Sequence, residues 1–94
     1  MKDDVLICRT GDLMESPLGD ELVGLSVNEG SCYGFSATAA RVWQLLEQPR
    51  RFSELRDHLL AEYQVDADTC DRELRALLEQ FEDHRLIAAE ALPA

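Results

Sequence analysis

Positive charge is scarce in this chain: nine Lys and Arg stand against nineteen Asp and Glu, giving a net charge of −10 over 94 residues. A surface of that sign repels phosphate backbones, which argues against nucleic-acid binding. The basic residues Arg50, Arg51 and Arg56 form either a local basic patch or, the blander reading, solvated helix-end charge. Aromatic residues are few, with one Trp, two Tyr and three Phe, so a core has to be built mainly from Leu and Val. No apolar stretch reaches the roughly 20 residues of a membrane span. The opening "MKDDVLICRTGD" sets four apolar residues behind two aspartates. That is not the pattern of a secretory signal, and the expected location is the cytosol.

Metal-ligand spacing is also missing. Cys8, Cys32 and Cys70 lie far apart, with no C-x-x-C and no Cys/His pair at zinc spacing. Each reads as a small apolar group, reduced and buried, and no metal site or cofactor is expected. Catalytic signatures are absent too: no G-x-S-x-G, no phosphate-cradling glycine loop and no H-E-x-x-H. His58 and His84 sit in the charged stretches "RDHLL" and "EDHRL", as solvent-facing helix residues do. No catalytic residue is assigned, and the chain reads as a non-enzyme. An acyl-carrier role would need a four-helix bundle, which a strand-rich first third opposes.

What is present is a clear change of period. "VLIC" near the start forms either a short extra strand or an arm. "DLMES", residues 12–16, reads as a strand ended by the Pro and Gly of "PLGD". "ELVGLSV", residues 21–27, alternates, with Val23, Leu25 and Val27 on one face and Leu22, Gly24 and Ser26 on the other. "NEGS" is a hairpin connection in which Gly30 can take a positive φ. "SCYGF" alternates again, Tyr33 and Phe35 against Cys32 and Gly34. These three segments form an antiparallel meander with residues 21–27 in the middle.

From residue 36 onward the period is helical. Ser36 caps a helix with Ala39, Val42, Trp43 and Leu46 on its apolar face, closed by Pro49. Ser53 caps a second, with Leu55, Leu59, Leu60 and Tyr63 on one stripe and Phe52 against its start. Asp66 or Asp68 caps a third, where a carboxylate suits the helix dipole. Its stripe is Cys70, Leu74, Leu77, Leu78 and Phe81, with Leu86 and Ile87 as a last anchor. "AAEALPA" reads as a frayed tail. Three short strands cannot hide an inner face alone, so the helices must cover it. The expectation is one α+β domain over residues 1–94 with its core at about 13–88: a three-stranded antiparallel sheet packed on three helices, winged-helix-like.

The order of strands makes "SCYGF" a sheet edge. Such edges are usually guarded by lysine, proline, a bulge or a covering element, and this one has no lysine or proline. Gly34 offers room for another backbone to approach. Either a peptide adds there as a strand, or the edge is simply short or is covered by residues 1–10.

At these residues a resemblance enters. "SCYGFSATAARVWQLLEQPRRFSELRDHLLAEYQVD" resembles the PqqD-like family of peptide-modification chaperones, also called RiPP recognition elements. It carries the aromatic strand (Tyr33, Phe35), Val42-Trp43, Leu45-Leu46, Pro49, Tyr63 and Val65-Asp66. "ELRALLEQFEDHRLI" resembles the closing helix, with Glu73 where aspartate is commoner and Arg85 where glycine usually precedes the last leucine. The resemblance spans roughly residues 13–88 and is closest to the free-standing recognition subunit of a lasso-peptide leader peptidase. It implies a sheet on three helices that binds the leader of a ribosomally made precursor as a fourth strand, between the third strand and third helix, and presents it to a leader peptidase or other tailoring enzyme. The implied contacts are Ser31, Cys32, Tyr33, Gly34 and Phe35 on the strand, and Asp66, Thr69, Cys70, Glu73, Leu74 and Leu77 on the helix. Alternatives are a chaperone for a radical enzyme in quinone-cofactor maturation, a winged-helix DNA binder, and a dimerisation module using the same edge.

Overall fold

The computed structural model describes residues 5–10, 13–26 and 30–91. Val27, placed in the central strand from its pattern, and Ala94 with its two predecessors lie outside the described residues. β2 (Leu13–Leu18), β3 (Glu21–Ser26) and β4 (Ser31–Phe35) form the expected antiparallel meander in the order β2-β3-β4. The first hairpin is tighter than the Pro-Gly pattern implied. Leu18 pairs with Glu21, leaving a two-residue loop, and Gly19 enters it at φ +64. Pro17 therefore lies inside β2 rather than in the turn. An edge strand tolerates it, because a residue whose N–H points away from the neighbour loses no ladder bond. Gly30 takes φ +66 in the second hairpin, as its position called for.

Directly opposed residues share a face, so the register sorts the sheet into two sides. Leu22, Gly24, Ser26, Tyr33 and Phe35 face inward, and Leu22 and Phe35 are buried there. Gly24 lies close under Leu13 on this side: a Cβ there would stand 2.9 Å from Cδ1 of Leu13, whose side chain would have to turn aside. Met14, Leu18, Leu25 and Cys32 face outward.

α1 (Ala37–Leu45) starts one residue after β4, and Ser36 Oγ accepts from Ala39 N–H at 3.3 Å. All four expected apolar positions, Ala39, Val42, Trp43 and Leu46, are buried. α2 (Phe52–Glu62) begins earlier than Ser53 suggested. Arg51 stands at its N-cap, with its N–H bonded to Glu54 Oε1 at 3.1 Å, and Phe52 is the first helical residue, fully buried. α3 (Ala67–Asp83) is capped by Asp66, which accepts from Thr69 N–H at 2.8 Å. It ends in a Schellman turn: Leu86 N–H bonds Phe81 O and Arg85 N–H bonds Glu82 O, each at 2.9 Å. Arg85 sits at the left-handed position of that turn, φ 59.

A second small sheet extends the expected architecture. β1 (Val5–Arg9) lies between β5 (Arg50–Arg51) and β6 (Ile87–Ala91), in the order β5-β1-β6, all antiparallel. "VLIC" is thus a strand with Val5 and Ile7 buried, and residues 88–91 are strand rather than frayed tail. The pairing of β1 with β6 over five residues explains both: each segment alone is too short to hold, and together they cover one end of the core. Two arginines tie this sheet to α1. Arg9 bonds Trp43 O and stacks 4.1 Å from the Trp43 ring centroid, while Arg50 Nε bonds Leu45 O. They satisfy C-terminal carbonyls of a helix with no basic residue in its own last turn. Phe35, Trp43 and Phe81 meet at centroid distances of 5.3–5.9 Å and fix β4, α1 and α3 together. Among the described residues, no helix is long and apolar enough to cross a membrane.

Candidate functional site

β4 pairs with β3 on one side, and among the described residues no strand pairs with its other side. Residues 5–9 belong to the other sheet, so they do not form a strand on this edge. The register also says which backbone groups lie open. A two-residue loop closes on a hydrogen-bonded pair, here Leu18 and Glu21, and bonding directions alternate along each strand. Leu22, Gly24 and Ser26 then bond toward β4, to Phe35, Tyr33 and Ser31. The N–H and C=O groups of Cys32 and Gly34 are left pointing out of the sheet edge. The space above Gly34 is empty to 4 Å from where a Cβ would be.

α3 runs beside this edge, and two cavities open along it. One, of about 390 Å³, lies between β4 and the C-terminal half of α3; Cys32, Tyr33, Gly34, Phe35, Leu77, Gln80 and His84 contribute to its lining. The other, of about 240 Å³, is lined by Thr38, Leu59, Tyr63, Val65, Cys70, Glu73, Leu74 and Leu77. Leu77, half-buried, borders both and forms the ridge between them.

The residues picked out in the sequence fall into three groups. Cys32, Tyr33, Gly34 and Phe35 come together with Leu77 at the first cavity. Cys70, Glu73, Leu74 and Leu77 come together at the second. Cys70 and Leu74 also serve the core, at 4% and 2% exposure, and only an edge of each reaches the cavity. Ser31, Asp66 and Thr69 line neither cavity. Asp66 and Thr69 are engaged with each other, N–H to Oδ1 and hydroxyl to Oδ2, both at 2.8 Å. Those bonds hold the Asp66 carboxyl below its ordinary pKa. Burial pushes the Cys70 thiol up, which keeps it protonated. Cys32 departs from the buried reading: alternation along β4 sets it opposite Phe35, and it is exposed.

Sequence reasoning missed Thr38, Leu59 and Val65 as a wall, because that cavity draws on all three helices. It also missed His84, whose ring lies 4.8 Å from that of Tyr33 although the residue is exposed as expected. Its position after the end of α3, facing the inner side of β4, is a tertiary fact with no local signal. Arg50 and Arg56 depart from the reading of solvated helix-end charge: both are half-buried and engaged, Arg50 on Leu45 O and Arg56, in the middle of α2, on Asp71 at 3.4 Å.

Comparison with known proteins follows the same outline. A solved structure described as TbiB1 in complex with the TbiA(beta) leader peptide matches with 32% identity and a TM-score of 0.77, over 85% of this chain and 93% of that one. Another, lasso peptide synthetase B1 complexed with the leader peptide, matches at 17% identity and a TM-score of 0.68, over 87% and 96%, and shows likeness of fold. No curated protein matches. The family described as Coenzyme PQQ synthesis protein D (PqqD) matches residues 21–87, and the chain belongs to that family.

Proposed function

We propose that this protein is a non-catalytic adaptor of the cytosol that binds the leader segment of a ribosomally made precursor peptide and presents it to a leader peptidase or other tailoring enzyme in lasso-peptide biosynthesis. The observation that carries the reading is the unpaired edge of β4, with Cys32 and Gly34 directed outward beside the cavity that β4 shares with α3. A leader pairing there adds a fourth strand. Its backbone bonds the edge, and alternate side chains turn toward the cavities. The relative whose structure holds a leader peptide supports the choice of ligand. A winged-helix DNA reader is disfavoured: α3 carries six acidic residues against two arginines. Recognition for a radical enzyme in quinone-cofactor maturation is the second reading, favoured by the family's description. The two separate on which precursor binds.

The test is Gly34→Pro. It removes an outward N–H without touching a bond to β3, and sets a ring in the path of the incoming strand. Loss of one bond costs about 1–3 kcal/mol and the clash of the ring with the incoming strand adds to it, so a labelled leader should bind at least about tenfold more weakly. A substitution at His58, exposed on α2, should leave affinity unchanged. Wild-type affinity in a folded Gly34→Pro protein would remove this edge as the site.

A further inference from the structure

The outer face of the β2-β3-β4 sheet carries apolar side chains that no described element covers. Met14 and Leu18 are each 64% exposed and Leu25 is 41% exposed. They do not lie scattered. Met14, Leu25 and Cys32 form one cross-strand row, and Val23 in the next row stands between Leu25 and Leu18. Side chains at such positions touch, so this is a contiguous patch. Among the described residues of the face none is basic. Its charge is Glu21, with Asp20 beside it in the hairpin loop, both exposed.

Resting on the adaptor reading above, we propose that this outer face is the docking surface for the leader peptidase, through an apolar patch on the enzyme rimmed by Lys and Arg. A second copy of this chain is a poor occupant, because two molecules of charge −10 repel and no cation on the face offsets Glu21. A basic rim fits it instead. The position also suits presentation. The row Met14-Leu25-Cys32 ends at the β4 edge, so a leader paired with β4 prolongs the same face by one strand. Every second leader side chain then stands beside Cys32 and Gly34 on that face. The enzyme would read adaptor and leader as one continuous surface, and loaded adaptor binds it better than empty adaptor.

The experiment compares wild type with Met14→Gln/Leu25→Gln, neutral changes of similar size on the outer face. Two affinities are read: for a labelled leader, and for the purified leader peptidase with and without leader, at low and high salt. The expected result is leader affinity within twofold of wild type, peptidase affinity at least tenfold weaker, and a wild-type peptidase affinity that falls as salt rises. Met14→Gln alone, on the edge strand, serves if the double variant does not fold, with a loss of at least threefold expected. Unchanged peptidase affinity in a folded variant that still binds leader overturns the docking surface and leaves the adaptor reading standing. So does concentration-dependent self-association of wild type that the variant abolishes. Failure of wild type itself to bind the leader overturns the adaptor reading, and the docking proposal with it.

Discussion

Arg85 is the residue whose backbone is least at ease. At φ 59 its Cβ crowds the following carbonyl, a cost of about 1–2 kcal/mol that glycine does not bear. The Schellman turn demands that conformation, and the bonds from Leu86 and Arg85 to the last turn of α3 hold it. Arg85→Gly should therefore raise stability by roughly 1 kcal/mol, after the added freedom of the unfolded chain is set against the relief. Urea unfolding checks this, and a less stable Arg85→Gly protein would contradict it. Asp66 gives a pH signature at the other end of the same helix. Its carboxyl is lowered by the N–H and hydroxyl of Thr69, so its contribution is complete above the ordinary carboxylate value near 3.9 and is lost as pH falls through the lower folded value. The gap in thermal midpoint between wild type and Asp66→Ala should be full near neutral pH and shrink below about pH 4. A gap that stays constant down to pH 3 would exclude the cap as its source. The Asp66 cap was legible in the sequence, since a carboxylate before an apolar-periodic run has a known job. Arg85 was legible only through the resemblance, which sets glycine at its place; its own preference gives no sign of the turn, which Leu86 and Ile87 complete by docking in the core.

At the scale of elements, the two sheets differ in how they declare themselves. β3 and β4 alternate cleanly and are joined by a short hairpin, so local pattern sufficed to pair them. β1 and β6 are far apart in sequence and each is a plain run of small and apolar residues, so nothing local pairs them. Their pairing, Leu6 with Glu90 and Ile7 with Ala89, turns an apparent arm and tail into structure. Removing residues 88–94 should therefore destabilise the whole protein. β1 would lose its pairing from Val5 to Cys8, keeping its two-residue pairing with β5 and the contact of Arg9 with Ile87, and Ile7 would lose its cover on that side. The truncated chain should melt several degrees lower in a single transition. An unchanged midpoint would mean that the tail reading of this segment was the right one. The edge of β4 was legible as an edge. Which of its groups point outward was not, because that depends on the two-residue loop at Gly19 and Asp20, and Pro17 had marked the turn too early.

Across the whole molecule, the acidic surface, the open β4 edge and the α3 cavities divide the labour of a binding protein. The net charge of −10 repels phosphate backbones and suits a partner that carries basic residues. The aromatic cluster of Phe35, Trp43 and Phe81 holds β4 rigidly against α1 and α3, so the edge is presented already formed. An edge already formed needs no ordering before a strand adds to it. The strand side of the candidate site was legible as an open edge, because period-two alternation and missing gatekeepers are local facts. The helix half could be read only in part: Leu77 and Glu73 reach the cavities, whereas Asp66 and Thr69 are held in the cap, a division set by how α3 is rotated against the core. The measurement that tests the central claim most directly is amide hydrogen exchange of the labelled protein, free and saturated with leader peptide. The account predicts that Cys32 and Gly34, open in the free protein, become protected on binding, while Tyr33 and Phe35, already bonded to β3, change little. Saturating leader with no added protection at Cys32 and Gly34 would contradict strand addition at β4.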